Sequence, residues 1–164
     1  MTEAENPKYN KAMFNIVLYE PEIPQNTGNI ARTCACTRTA LHLIKPLGFD
    51  VSESAIKRAG LDYWDKVDVF QYENWDDFLK KHDGANCYFF TKKADRIYTD
   101  VSFKDGDFLV FGKETKGLPD SVLQANSKNA LRLPMREGVR CLNLSNSAAI
   151  ALYEALRQTG FAAL

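Results

Sequence analysis

The chain has 164 residues, 45% of them hydrophobic and 26% charged, with 21 basic and 21 acidic side chains and a formal net charge of +0. This length argues for one domain that builds its own core, and neutrality excludes a surface that is basic throughout, so any nucleic-acid contact must be local or doubled by dimerisation. With 4 cysteines lacking a Cys-x-x-Cys pair and only 2 histidines, the chain has a poor zinc set, and free thiols in a reducing compartment are expected.

The N-terminal MTEAENPKYNKA is polar and charged, with no apolar leader, and reads as a flexible tail over 1–13 before a single domain over 14–164. No apolar run approaches the ~18 residues that span a bilayer, so a cytoplasmic location is expected. FNIVLYE (14–20) predicts a buried strand, PEIPQNTG a turn holding Asn26 and Gly28, and NIARTCACTRTA (29–40) a helix. LHLIKPL (41–47) predicts a second strand, SESAIKRAG (52–60) a short helix and VDVFQY (67–72) a third strand. NWDDFLKKH (74–82) starts on an Asn cap, with acidic residues in its first turn and basic ones in its last, as the helix dipole favours. NCYFFT (86–91), DFLVFG (107–112) and ALRLPM (130–135) predict further strands, DSVLQAN (120–126) a short helix and NLSNSAAIALYEALRQTG (143–160) a long one. Continuous apolar strands alternating with helices mean a parallel sheet covered on both faces. In such sheets the ligand lies beyond the carboxyl ends of the strands.

FGKETKGLP (111–119) stands at one such end. Gly112 and Gly117 have the spacing of a P-loop, but Leu118 and Pro119 follow where Lys and Ser/Thr are required. Gly-x-Gly-x-x-Gly is absent after every strand, so neither a nucleoside triphosphate nor a dinucleotide is supported. What remains is either a plain strand-to-helix turn or a backbone loop that approaches a flat, neutral ligand, with the Glu114 carboxylate nearby. Two other loops carry polar groups: PEIPQNTGNIAR (21–32), and the last loop, where Asn143, Ser145, Asn146 and Ser147 crowd the start of a helix beyond what one cap needs.

Asn-x-Gly-x-x-x-Arg after the first strand, Phe-Gly-x-Glu-x-x-Gly-Leu-Pro, and Leu-Asn-Leu-Ser-Asn-Ser before an Ala-rich helix together resemble the three motifs of SPOUT methyltransferases. ARTCACTRTALHLIKPLGF and IKRAGLDYW are similar to the small TrmL-like branch, and the resemblance runs from about residue 14 to residue 160. It implies a deep trefoil knot in the C-terminal part of the α/β fold, S-adenosylmethionine as cofactor, a homodimer, no metal, and 2′-O-methylation of the cytidine or uridine derivative at the wobble position of tRNA. Carried over by position, it implies cofactor contacts from Phe90, Thr91, Gly112, Gly117, Leu133, Cys141 and Leu142. Cys141 stands where relatives typically carry Ser. It assigns Arg32 to the reacting hydroxyl, although a guanidinium is a poor base because it stays protonated; clamping phosphate or ribose suits it better. Asn26, Glu114 and Ser145 would support the catalytic loops. Lys57, Arg58, Arg136, Arg140 and Tyr153 would meet RNA. Two alternatives stay open: a ribosomal RNA methyltransferase, which often carries an added N-terminal RNA-binding domain that this length leaves no room for, and a noncatalytic RNA-binding module of the same fold.

Overall fold

The computed structural model describes residues 14–52, 54–55, 63–162 and 164. The ordered elements run β1 (Asn15–Tyr19), α1 (Pro24–Thr37), β2 (Ala40–Ile44), β3 (Val69–Tyr72), α2 (Trp75–Lys81), β4 (Cys87–Phe90), β5 (Phe108–Phe111), α3 (Asp120–Ala125), β6 (Ala130–Leu131) and α4 (Leu144–Gln158). Six strands form one sheet in the order β3-β2-β1-β5-β4-β6, and every adjacent pair is parallel. The expected sheet with helices on both faces is therefore what forms.

The strands read as unbroken apolar runs because both their faces are buried. Successive side chains divide between two cores. Ile16, Leu18, Leu109, Phe111, Tyr88 and Phe90 point to the face covered by α1 and α4. Val17, Val110, Phe108, Cys87 and Phe89 point to the face covered by α2 and α3. On α4, Ala148, Ala151 and Ala155 are buried beside Ile30, Ala31 and Cys34 of α1. Their small side chains let the two helices approach closely, and Leu152 and Leu156 fill the layer between them and the sheet.

Three boundaries move from their expected places. Helix α1 begins at Pro24, so Asn26 and Gly28 lie within the helix and not in a turn. Proline suits the first helical position, where its missing N–H would have no partner in any case. Strand β6 shrinks from 130–135 to Ala130–Leu131, continued only by an isolated bridge between Ile97 and Arg132; Pro134 has no N–H for a ladder. Strand β2 ends at Ile44, just before Lys45 and Pro46. The N-terminal tail and most of the helix expected over 52–60 lie outside the described residues. No helix among the described residues is long and apolar enough to cross a membrane.

A polar chain crosses the second core. Asn15 Nδ2 donates to the carbonyls of Gly106 and Asp107 at 3.2 and 3.4 Å, which turns Oδ1 toward His42. His42 Nε2 lies 3.1 Å from that oxygen and must donate to it. Its Nδ1 is then bare and accepts from the Tyr72 hydroxyl at 2.7 Å. Tyr72 in turn accepts from His82 Nε2 at 2.7 Å. Each proton position follows from the one before it. Burial pushes His42 down to about 3, with a smaller push from His82. Burial and then Lys81 lower His82, and Tyr72 is raised by burial and by Asp77. The Lys81 ammonium lies 5.3 Å from the centre of the Tyr72 ring. An unfolded chain protonates histidine near its ordinary value of about 6.5, whereas the folded chain refuses the proton until about 3. Stability is therefore full above about pH 6.5 and falls as the pH drops through that window. Unfolding free energy measured in urea should be about 2 kcal/mol lower at pH 5 than at pH 7, and a His42→Gln variant should show a flatter dependence.

Candidate functional site

Strands β1 and β5 are neighbours, and the chain leaves their carboxyl ends toward opposite faces of the sheet, to α1 and to α3. Such a divergence normally opens the ligand crevice of a parallel sheet. Here hydrogen bonds lace the two loops together. One oxygen of Glu114 accepts the Glu22 N–H at 2.9 Å. The other accepts the Ile23 N–H at 3.0 Å and Asn26 Nδ2 at 3.2 Å. Glu22 answers in the other direction, its carboxylate accepting from the Thr115 N–H at 3.1 Å and from the Thr115 hydroxyl at 2.8 Å. Ile23 is the N-cap of α1 and offers no side-chain cap. Glu114 thus fixes the chain at the entry to α1 from another loop, by accepting the N–H groups of the N-cap residue and of the residue before it. Its negative charge also suits the positive end of the helix.

Glycine enters this loop for a reason internal to it. A Cβ on Gly112 would stand 2.1 Å from both the Gly117 carbonyl carbon and the Leu118 nitrogen. Lys113 and Gly117 close the loop with paired backbone bonds of 3.2 and 2.9 Å, and Gly117 has φ +68, the left-handed region that glycine enters freely. The loop is also held to β1, where Glu20 has φ 47 and pairs with Lys113 at 2.5 Å. Hydrogen bonding to Glu20 raises the Lys113 pKa.

Beside that junction stand the carboxyl ends of β5, β4 and β6. Phe90 is level with Phe111 on one side and with Leu131 on the other, so Gly112, Thr91 and Arg132 stand abreast. The Phe90 and Phe111 rings stack at 4.7 Å and 15° beneath them. The Thr91 N–H donates to the Leu131 carbonyl at 2.9 Å, and Leu133 packs on the core just beyond. Backbone groups over an apolar, aromatic floor suit a flat, largely neutral ligand better than a phosphate. Cys141 and Leu142 follow in the last loop, both exposed, as are Arg136 and Arg140.

That loop ends on Asn143, the N-cap of α4, whose Oδ1 accepts from the Ser145 and Asn146 N–H groups and from the Ser145 hydroxyl at 2.6 Å. Its Nδ2 donates to Asn26 Oδ1 at 2.9 Å. Glu114, Asn26, Asn143 and Ser145, drawn from three separate loops, therefore form one continuous network. With three donors on its carboxylate, Glu114 has most of its acceptor capacity committed to structure.

The remaining expected residues lie elsewhere. Arg32 is exposed on α1, outside the network, with its guanidinium carbon 4.9 Å from the centre of the Tyr63 ring. Tyr153 is 47% exposed on α4. Lys57 and Arg58 lie outside the described residues. Sequence reasoning missed Glu22 and Tyr63. Glu22 follows Pro21 in a turn and carries no local signal. Tyr63 stood in the quoted IKRAGLDYW, but its partner is 31 positions away in sequence, and spacing along the chain does not reveal such a pair.

Glu114→Ala should lower the unfolding free energy by about 2 kcal/mol, because it takes the charged acceptor from three donors at the entry to α1, one of them on buried Asn26. Glu114→Gln, with one acceptor oxygen kept, should cost less; denaturant midpoints of the two variants check the order. Gly112→Ala should fail to give folded protein, judged by circular dichroism and solubility.

The chain matches the SpoU rRNA Methylase family over residues 13–153. A Saccharophagus degradans tRNA (cytidine(34)-2'-O)-methyltransferase is 49% identical over 151 residues, covering 92% of this chain and 98% of that protein. A solved structure that concerns the 2-OH methylation of C/U34 on tRNA is 44% identical with a TM-score of 0.84, covering 92% of this chain and 98% of that one. The Streptomyces viridochromogenes SpoU methyltransferase AviRb, solved in complex with the cofactor AdoMet, shares the fold at 20% identity and a TM-score of 0.79, over 92% of this chain and 59% of that one. The chain belongs to the SpoU rRNA Methylase family.

Proposed function

We propose that this protein methylates the ribose 2′-hydroxyl of the wobble nucleotide of tRNA, a cytidine or uridine derivative, with S-adenosylmethionine as the methyl donor. The observation that carries the reading is near-full-length identity of 49% with a tRNA (cytidine(34)-2'-O)-methyltransferase, joined to a site in which the three motif loops are bonded into one unit. The cofactor site is the row of strand ends at Phe90, Thr91, Gly112 and Leu133, closed by Cys141 and Leu142 of the last loop, which completes the trefoil knot. The donor supplies an activated methyl group on a good leaving group, so the protein's task is to align the hydroxyl oxygen with it. Glu114, Asn26, Asn143 and Ser145 hold the loops rigid for that alignment. Gly117 shapes the loop that carries Gly112.

Arg32, permanently protonated, clamps the ribose or the adjacent phosphate and lowers the cost of removing the hydroxyl proton. Arg136, Arg140 and Tyr153, together with Lys57 and Arg58, meet the RNA, and their charge makes binding salt-sensitive. The protein acts as a homodimer in the cytoplasm.

The deciding experiment is transfer of labelled methyl from S-adenosylmethionine into tRNA that lacks ribose methylation, with nuclease mapping of the product. Label is expected in the ribose of the wobble nucleotide. Label that enters ribosomal RNA instead, or no transfer to any RNA, would overturn the assignment. Arg32→Ala should abolish transfer and leave the cofactor dissociation constant within about twofold; an equal loss of both would remove Arg32 from the substrate side. Light scattering at micromolar concentration should give the mass of a dimer, and a monomer mass would end that part of the proposal.

A further inference from the structure

The Tyr63 side chain makes two contacts with α1. Its hydroxyl donates to the Gly28 carbonyl at 2.7 Å. Its ring lies under the Arg32 guanidinium, with the carbon 4.9 Å from the ring centre. Gly28 and Arg32 are one helical turn apart, so their groups lie on the same face of α1. Tyr63 itself is held. It caps the 3-10 turn Trp64–Lys66, and Tyr63, Trp64 and Val67 pack against the core that also holds Ile30 and Cys34. An anchored aromatic ring therefore grips the helix at one position and supports the exposed arginine at the next.

We infer that Tyr63 is a positioning residue that pre-orders Arg32 for its RNA contact, an inference that rests on the reading of Arg32 given above. A free arginine on a helix surface loses rotamer freedom whenever it binds, and that loss weakens every bond it makes. A carboxylate partner would order it too, but would occupy the N–H groups the substrate needs. Among the described residues no carboxylate pairs with Arg32. An aromatic face orders the planar guanidinium and leaves its charge and its five N–H donors available for phosphate and ribose oxygens. Arginine specifically suits this arrangement, since a lysine has no plane to stack.

The test compares Tyr63→Leu and Tyr63→Phe under saturating cofactor and varied tRNA. The leucine variant should lose about tenfold in kcat/KM, chiefly in kcat, with the cofactor dissociation constant unchanged. The phenylalanine variant keeps the ring and should stay within about threefold of wild type. Arg32→Ala run alongside separates the two levels of the argument. If Arg32→Ala is inactive while Tyr63→Leu matches wild type, the positioning role is wrong and the role of Arg32 stands. If Arg32→Ala is active, both fall. A phenylalanine variant as poor as the leucine one would also overturn the inference, because the ring would not be the support. Proton NMR of the unsubstituted protein gives a readout that needs no folded Tyr63 variant. The δ-methylene protons of Arg32, assigned by their loss in Arg32→Lys, should be shifted upfield by the Tyr63 ring current, and ordinary arginine shifts would refute the stacking.

Discussion

The Glu114 carboxylate is the constraint on which the rest of the site depends. A parallel sheet has its natural binding crevice where neighbouring strands send their chains to opposite faces, and here that point is the β1–β5 boundary. Glu114 crosses it with three donors from residues 22–26. The crossing has two consequences. It fixes the chain as it enters a helix that has no side-chain cap of its own, and it ties the first loop to the glycine loop after β5. A ligand in this fold is therefore held by loops that must themselves be held, since β6 is only Ala130–Leu131 and lies at the sheet edge.

The holding comes from the return of the chain. After β6 at one edge, the last loop leads into α4, which packs against α1 on the first core. Asn143 caps α4 and bonds to Asn26 on α1, so the end of the last loop is fixed by the same network that fixes the glycine loop. Removing Asn26 or Asn143 breaks the link between loops, because Asn26 bonds to both Glu114 and Asn143. This coupling gives Asn26, Glu114 and Ser145 a shared structural reason to occur in the three motifs.

Much of this was legible in the sequence, and the parts that were not share a cause. The strand cores, α2 with its Asn74 cap, and α4 with its Ala-rich buried stripe follow from local period and capping chemistry, so they appear nearly where expected. The start of α1 was misplaced because the acceptor that fixes its N-cap residue is Glu114, 91 residues from Ile23, and no local rule reports a partner that arrives from another loop. The length of β6 was overread because ALRLPM has strand composition, yet only its first two residues find partners in β4. Gly112 was correctly singled out, but its reason differs. The space its missing side chain leaves is filled by the Gly117–Leu118 peptide of its own loop, so the residue is required for closure of the loop whatever the loop then binds. The pairing of Arg32 with Tyr63 was illegible because it crosses the whole of β2 and the segment after it.

The distribution of charge follows from the same economy. Three carboxylates near the site are consumed: Glu114 and Glu22 by backbone and hydroxyl donors, Glu20 by Lys113. A neutral chain would otherwise present a site ringed with negative charge, which RNA would avoid. Tying these acids to N–H groups and to one ammonium spreads their charge over the network and leaves Arg136 and Arg140 exposed on the last loop. Net charge is a poor guide to such a protein, because what an approaching phosphate meets is the set of charges left unspent by the fold. In this chain the exposed Arg136 and Arg140 are among them, and so is the Arg32 guanidinium set over the Tyr63 ring.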